Sequence, residues 1–194
     1  MRKGESTRQT ILDEATRLAS QVGLGGLTIG SLATQTGLSK SGLFAHFNAK
    51  ESLQVQVLDH AATRFHSHVI EPILAAPRGE PRLRELFEHW LKWVANGLPG
   101  GCVFIAAGNE FDDQPGPVRD TLVRIQRDWM TTIERVVQGA VAEGHFGADT
   151  DSAQFAQDLY GVLLAYSLTS RLLGDPDSEA HARRAFDALL RGAR

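Results

Sequence analysis

Residues 32–44 read Leu32-Ala33-Thr34-Gln35-Thr36-Gly37-Leu38-Ser39-Lys40-Ser41-Gly42-Leu43-Phe44. The pattern is that of a helix-turn-helix. Ala33 is small where two helices would cross closely. Gly37 stands where the turn calls for a positive φ. Leu38 and Leu43 are expected to plug the turn and the second helix into a small core. Ser39 would cap that helix and leave Lys40, Ser41 and Gly42 on its exposed first turn. A helix presented in this way fits the major groove of B-DNA, which is about 12 Å wide. Gly42 inside a helix costs about 1 kcal/mol against alanine, and a close approach to DNA would explain it. An ordinary helical hairpin with a glycine turn shares the same small-residue pattern.

Outward from this stretch the periodicity is helical almost throughout. Ile11, Ala15, Leu18 and Val22 form one stripe, and Gly23 ends it. Thr28 can cap a short helix with Ile29, Leu32 and Ala33. Asn48 and Glu51 have the spacing of a capping box, opening a long helix to about Leu74. Pro77, Gly79 and Pro81 make a linker, and Pro81 suits the first turn of a helix through Trp90 and Val94. Cys102–Phe111 reads as a short helix, although Val103, Phe104 and Ile105 would also suit a strand. Further helices are expected from Val118 to Val141, from Asp149–Asp151 to Leu172, and after Asp175-Pro176. The expected fold is all-α, with about nine helices in two parts: residues 1–53 and residues 54–194.

Charge divides the chain in the same way. The 194 residues carry 20 Lys and Arg against 23 Asp and Glu, a net of −3 that argues against nucleic acid. Residues 1–50 nevertheless hold six bases (Arg2, Lys3, Arg8, Arg17, Lys40, Lys50) against three acids, a net of +3, which leaves −6 on the remainder. A basic head on an acidic body suggests a polyanion-binding module joined to something else. No apolar run approaches the ~18 residues of a membrane-spanning helix, and no signal-peptide core follows Met1. The single cysteine, Cys102, cannot form an internal disulfide, which suits a reducing cytoplasm. A buried, inert thiol is its default role.

Residues 7–58 resemble the DNA-binding domain of the tetracycline-repressor (TetR) family of bacterial transcriptional regulators. The matching residues are Thr7-Arg8-x2-Ile11-Leu12-x2-Ala15, Gly23, and Leu27-Thr28-Ile29-x2-Leu32-Ala33. They continue as Thr36 to Phe47 and Lys50-Glu51-x-Leu53. The resemblance implies that Thr28 bonds a backbone phosphate. It implies that Ser39, Lys40, Ser41 and Gly42 face base edges and nearby phosphates, with Lys40 the candidate for guanine. His46 and Lys50 would meet phosphates at the ends of their helices. Phe44 stands where the family usually has tyrosine, so it cannot make the hydroxyl–phosphate bond, and packing or a thymine-methyl contact is expected there.

For the remaining two thirds the resemblance suggests a sensor for a small effector and a homodimer built on the last helices. Trp90, Trp93, Phe104, Phe111, Trp129, Met130 and Tyr166 offer aromatic and apolar surface for a pocket. Asn109, Glu110, Gln126 and Tyr160 could orient a ligand. Aromatic stripes at helical spacing also serve plain cores. The helix from Phe155 to Leu172 is apolar on more than one face and wants to be buried. Phe155, Leu159, Leu163, Phe186, Leu189 and Leu190 are the candidate dimer contacts in a four-helix interface. A helix buried within a monomer is the alternative.

Competing chemistry is sparse. His66 and His68 are two apart and point to different sides of a helix, a poor metal pair. Gly37–Gly42 lacks the Lys-Ser/Thr of a phosphate loop, and no Gly-x-Ser-x-Gly elbow occurs. No cofactor, metal or catalytic residue is expected. The reading is a DNA-binding regulator, a homodimeric repressor released from a palindromic double-stranded DNA operator by a partly apolar effector. The alternatives are a helical protein-interaction module and, behind it, a small-molecule enzyme. Steep salt dependence would separate DNA binding from an apolar protein interface.

Overall fold

The glycines, prolines and capping residues punctuate nine α-helices in the computed structural model, which describes residues 3–194, with side chains from Thr7 onward. They are α1 (Lys3–Val22), α2 (Ile29–Thr36), α3 (Lys40–Phe47), α4 (Lys50–Phe65), α5 (Glu80–Lys92), α6 (Val103–Phe111), α7 (Pro117–Ala142), α8 (Ser152–Arg171) and α9 (Ser178–Ala193). No strand occurs among the described residues, so the expected all-α class holds. The ambiguous run after Cys102 is helical. Val103, Phe104, Ala107 and Phe111 are its buried residues, a period near 3.6 rather than 2.

Two expectations fail at helix ends. Asn48 does not open α4. It closes α3 with φ +61°, its N–H bonded to the Phe44 carbonyl at 2.8 Å. Asparagine tolerates this left-handed region better than most residues. The first helical bond of α4 instead runs from Leu53 N–H to the Ala49 carbonyl. Nor does α4 run on to Leu74. Regular geometry stops at Phe65, a π turn covers His66–Ile70, and a 3-10 turn covers Pro72–Ala75. Pro72 has no N–H to continue the ladder, and Glu71 N–H reaches five residues back to the His66 carbonyl.

By contacts the chain divides into two units that are not contiguous in sequence. One is Met1–Phe65 with Asn96–Ile125, and the other is His66–Ala95 with Gln126–Arg194. In the first, Ala15 and Ala19 are fully buried and let α1 lie close to α4. Leu24, Leu27, Leu32, Leu43, Phe47, Leu53 and Leu58 fill the core around them. Each such side chain contributes about 1.5–3 kcal/mol by leaving water. In the second unit α8 and α9 form the closest helix pair. Phe87 of α5 stacks on Phe186 of α9 with centroids 4.2 Å apart, and Phe146 stacks on Phe155 at 5.6 Å. Glu88 of α5 pairs with Arg183 of α9.

Candidate nucleic-acid interface

The α2–turn–α3 hairpin is held by side-chain caps at both helix starts. Thr28 Oγ1 accepts from Ser31 N–H, and Ser31 Oγ accepts from Thr28 N–H, both at 3.0 Å, which closes a reciprocal capping box. Gly37 ends α2 at φ +68°, a left-handed cap that a side chain would strain. Ser39 Oγ then accepts from Gly42 N–H at 3.1 Å and lies 3.3 Å from Ser41 Oγ.

This capping fixes which side of α3 turns inward. Only Leu43 and Phe47 of its eight residues are buried. Ser39, Lys40, Ser41, Gly42 and Phe44 are exposed, as are Thr28 and Lys50, while His46 is half-buried beside Phe47. Thr28 and Lys40 are neighbours across Gly30: a Cβ there would lie 3.7 Å from Thr28 Oγ1 and 3.8 Å from Lys40 Cε. Leu38 departs from expectation. It is 40% exposed and lines a groove with Thr10, Ile11, Gln35 and Thr36, so Leu43 alone plugs the hairpin.

The basic residues are not all free. Lys50 Nζ donates to the Gly25 carbonyl at 2.6 Å, and Arg8 donates to Gln56 Oε1 at 2.5 Å. Arg2 and the side chain of Lys3, two of the six bases counted in residues 1–50, lie outside the described residues.

One functional-looking group escaped the sequence reading, and Glu110, which was named there as a ligand-orienting residue, meets the α1–α2 loop. His60, buried on α4, bonds Asp13 Oδ1 through Nε2 at 2.8 Å and meets Gln9 Nε2 through Nδ1 at 3.1 Å. Arg64 shares the same Asp13 oxygen at 3.2 Å. This network ties α1 to α4 beneath the hairpin. Glu110 of α6 accepts the N–H groups of Leu24 and Gly25, at 3.2 and 2.5 Å. Its carboxylate is thus spent on the α1–α2 loop and does not serve the ligand role expected of it. The spacing of His60 and Arg64, four apart on α4, was the available signal for the first group. Nothing local signalled the Glu110 contact.

The expected effector residues fall into both units. Phe104 and Phe111 belong to the first, where Phe104 meets Phe65 edge-on at 6.0 Å. Trp90, Trp93, Gln126, Trp129, Met130 and Tyr166 belong to the second. All eight are buried except Gln126 and Met130, which are half-buried. Trp90 meets Tyr166 edge-on at 6.3 Å. Burial, and secondarily Glu179, pushes the Tyr166 phenol upward, so it stays a neutral donor at ordinary pH.

The expected dimer contacts are placed differently. Phe155, Leu159, Leu163, Phe186 and Leu190 are buried within the chain itself and have little surface to offer a second copy. Leu189 is half-buried. The exposed stripe of α8 is instead Gly161, Ala165 and Leu168, continued by Leu172. Among the described residues no three side chains are grouped to hold a metal, and no helix is long and apolar enough to cross a membrane.

Two family models match. Residues 11–57 match that of bacterial regulatory proteins of the tetR family, and residues 79–186 match the tetracyclin repressor-like C-terminal domain, over half the chain. No curated protein matches. Among solved structures, a TetR transcriptional regulator from Chloroflexus aurantiacus is 23% identical with a TM-score of 0.87, covering 98% of this chain and 96% of that one. A TetR-family regulator from Cytophaga hutchinsonii is 18% identical with a TM-score of 0.87, covering 100% and 98%. AibR, solved in complex with isovaleryl coenzyme A and operator DNA, is 21% identical with a TM-score of 0.75, covering 94% and 97%. With the N-terminal and C-terminal models both matched in order and the hairpin folded as they require, the chain belongs to the tetracycline-repressor family of bacterial transcriptional regulators, which are not enzymes.

Proposed function

We propose that this regulator is a cytoplasmic repressor that binds a palindromic operator as a homodimer and is released by a small, partly apolar effector. The observation that carries the reading is α3 itself: capped by Ser39, anchored by Leu43 and Phe47, and open along Lys40, Ser41 and Phe44. In this reading residues 1–53 read DNA and residues 54–194 sense the effector and dimerise. Lys40 reads a base edge, and Ser39, Ser41 and the Gly42 backbone fix the register. Thr28, His46 and Lys50 meet phosphates, and Phe44 makes an apolar contact where a hydroxyl is usual. Lys50 would exchange the Gly25 carbonyl for a phosphate oxygen.

The family's sensor domain supports an effector site, and the fold shared with AibR, which was solved with both an acyl coenzyme A and operator DNA, supports coupling of the two functions. Trp90, Trp93, Gln126, Trp129, Met130 and Tyr166, all of the second unit, remain the proposed lining. The effector must bind the released state more tightly than the DNA-bound one, or nothing shifts. Dimerisation is proposed through Gly161, Ala165, Leu168 and Leu172 of α8 with Leu189 of α9. A twofold pair then reads two half-sites at a spacing set by its two α3 helices.

Lys40→Ala tests the reading head. Binding to a duplex selected by the wild-type protein from a random-sequence pool should weaken by about 1–3 kcal/mol, with relaxed preference at one base pair. Unchanged affinity and preference, measured by fluorescence anisotropy, remove Lys40 from the reading surface.

A further inference from the structure

The α1–α2 loop, Gly23-Leu24-Gly25-Gly26, is gripped from both sides of its peptide groups. On the amide side, Glu110 of α6 accepts Leu24 N–H at 3.2 Å and Gly25 N–H at 2.5 Å. On the carbonyl side, α4 donates: Gln54 Nε2 to Leu24 O at 2.8 Å and Lys50 Nζ to Gly25 O at 2.6 Å. The approach is too close for side chains. A Cβ on Gly23 would come within 2.6 Å of Glu110 Oε1, and one on Gly25 within 2.9 Å of Oε2. The chain leading into α6 presses on α1 as well. Gly100 N–H donates to Ser20 Oγ at 3.0 Å, and a Cβ on Gly100 would fall 1.6 Å from the Ser20 carbonyl oxygen. All of these residues belong to one compact unit.

We propose that Glu110 is a positioning residue for operator recognition, its carboxylate holding the α1–α2 loop that leads into the DNA-reading hairpin. The proposal rests on the regulator reading above. The loop that Glu110 grips leads directly into Thr28, so the carboxylate sets the place of a proposed phosphate contact. Hydrogen bonds of this length weaken steeply as geometry departs from ideal. A displacement of about 1 Å between the carboxylate and the loop would break the Glu110 grip or drag the loop with it. Either result disturbs Thr28 without any movement of α3 on its own helix axis.

The sign of one substitution separates positioning from electrostatics. Glu110→Gln removes a negative charge from a DNA-binding unit, and electrostatics alone then predicts tighter binding. Positioning predicts weaker binding, because the amide group accepts from only one of the two N–H groups. The expected loss is about tenfold, within the usual range of coupling between sites. Glu110→Asp keeps the charge but gives up the reach, and should also bind more weakly. Asp113→Asn, an exposed charge at the end of α6, is the electrostatic reference and should bind as tightly as wild type or tighter. Binding is read on the duplex selected by the wild-type protein. Failure of the wild-type protein to select any duplex overturns the regulator reading itself. Selection by wild type, followed by equal or tighter binding of Glu110→Gln, overturns the positioning role alone. Amide exchange on the wild-type protein gives a readout that survives any misfolded variant. Leu24 and Gly25 should exchange far more slowly than the uncapped Gly26, and exchange at the rate of an open loop overturns the proposal.

Discussion

Helices α3 and α8 are both rich in apolar residues, yet they spend them differently. In α3 two residues face inward, and the single large apolar group left outside, Phe44 at 55% exposure, stands among Lys40, Ser41 and Gly42. In α8 an inner stripe of Phe155, Leu159, Leu163 and Tyr166 is buried. A second stripe, from Gly161 and Ala165 to Leu168 and Leu172, lies outside, with Leu172 at 75% exposure. An isolated exposed aromatic is ordinary on a surface, whereas contiguous exposed leucines mark a contact surface. The difference teaches that α3 leaves polar groups around one isolated aromatic in solvent, while α8 buries one apolar stripe in its own chain and leaves a second exposed.

The largest expected effect would break the division within α8. Leu163→Ala, on the inner stripe, should destabilise the fold by about 2–5 kcal/mol, read by chemical denaturation at fixed protein concentration. An effect near zero would mean that the inner stripe is not core. Leu168→Arg, on the outer stripe, should leave the helical content intact. It should raise the dimer dissociation constant roughly 30-fold, the size of an interface hot spot of about 2 kcal/mol. Sedimentation that still reports a tight dimer would move the interface elsewhere. Phe44→Tyr sharpens the α3 side. Added back to an exposed position, the hydroxyl should strengthen operator binding by about 0.5–1.5 kcal/mol with no change in stability, measured by anisotropy and thermal melting together.

The smallest effect concerns what holds α9 to α5. The Arg183 guanidinium holds the Glu88 carboxyl below its ordinary value, against the opposing effect of burial. A carboxylate depressed in the fold adds stability above its unfolded value of about 4.5, and that stability is lost as pH falls through the lower folded value. Both side chains are a third or more exposed, so screening limits the pair to about 0.2–1 kcal/mol. Thermal melting from neutral pH to below pH 4 should therefore show a slightly smaller acid loss in Glu88→Gln than in wild type. Equal losses would show that the pair does not help clamp α9.

Much of the fold was legible because its signals are local. Thr28, Gly37 and Ser39 cap and end helices through bonds within a few residues of themselves, so the hairpin could be read from residues 28–47 alone. The caps also dictated which side of α3 stays open, and with it most of the proposed reading surface. Asn48 misled because asparagine suits both an N-cap and a left-handed C-cap, and only the turn between α3 and α4 selects between them. Leu38 misled because hydrophobicity does not say whether a neighbour arrives to cover it.

What the sequence determined by itself is the helical order and the hairpin, which short-range periodicity and capping carry, and the family, which the resemblance of residues 7–58 carries. What only the tertiary structure decided is which face each apolar helix gives away and which distant group meets which loop. Leu163 and Leu168 are the same residue type five positions apart on one helix, and only tertiary packing buries one and leaves the other exposed. Glu110 lies more than eighty residues from Leu24 and Gly25, and no local rule connects them. Their bond exists because α6 is laid against α1, where glycine at positions 23, 25 and 100 leaves room for the approach.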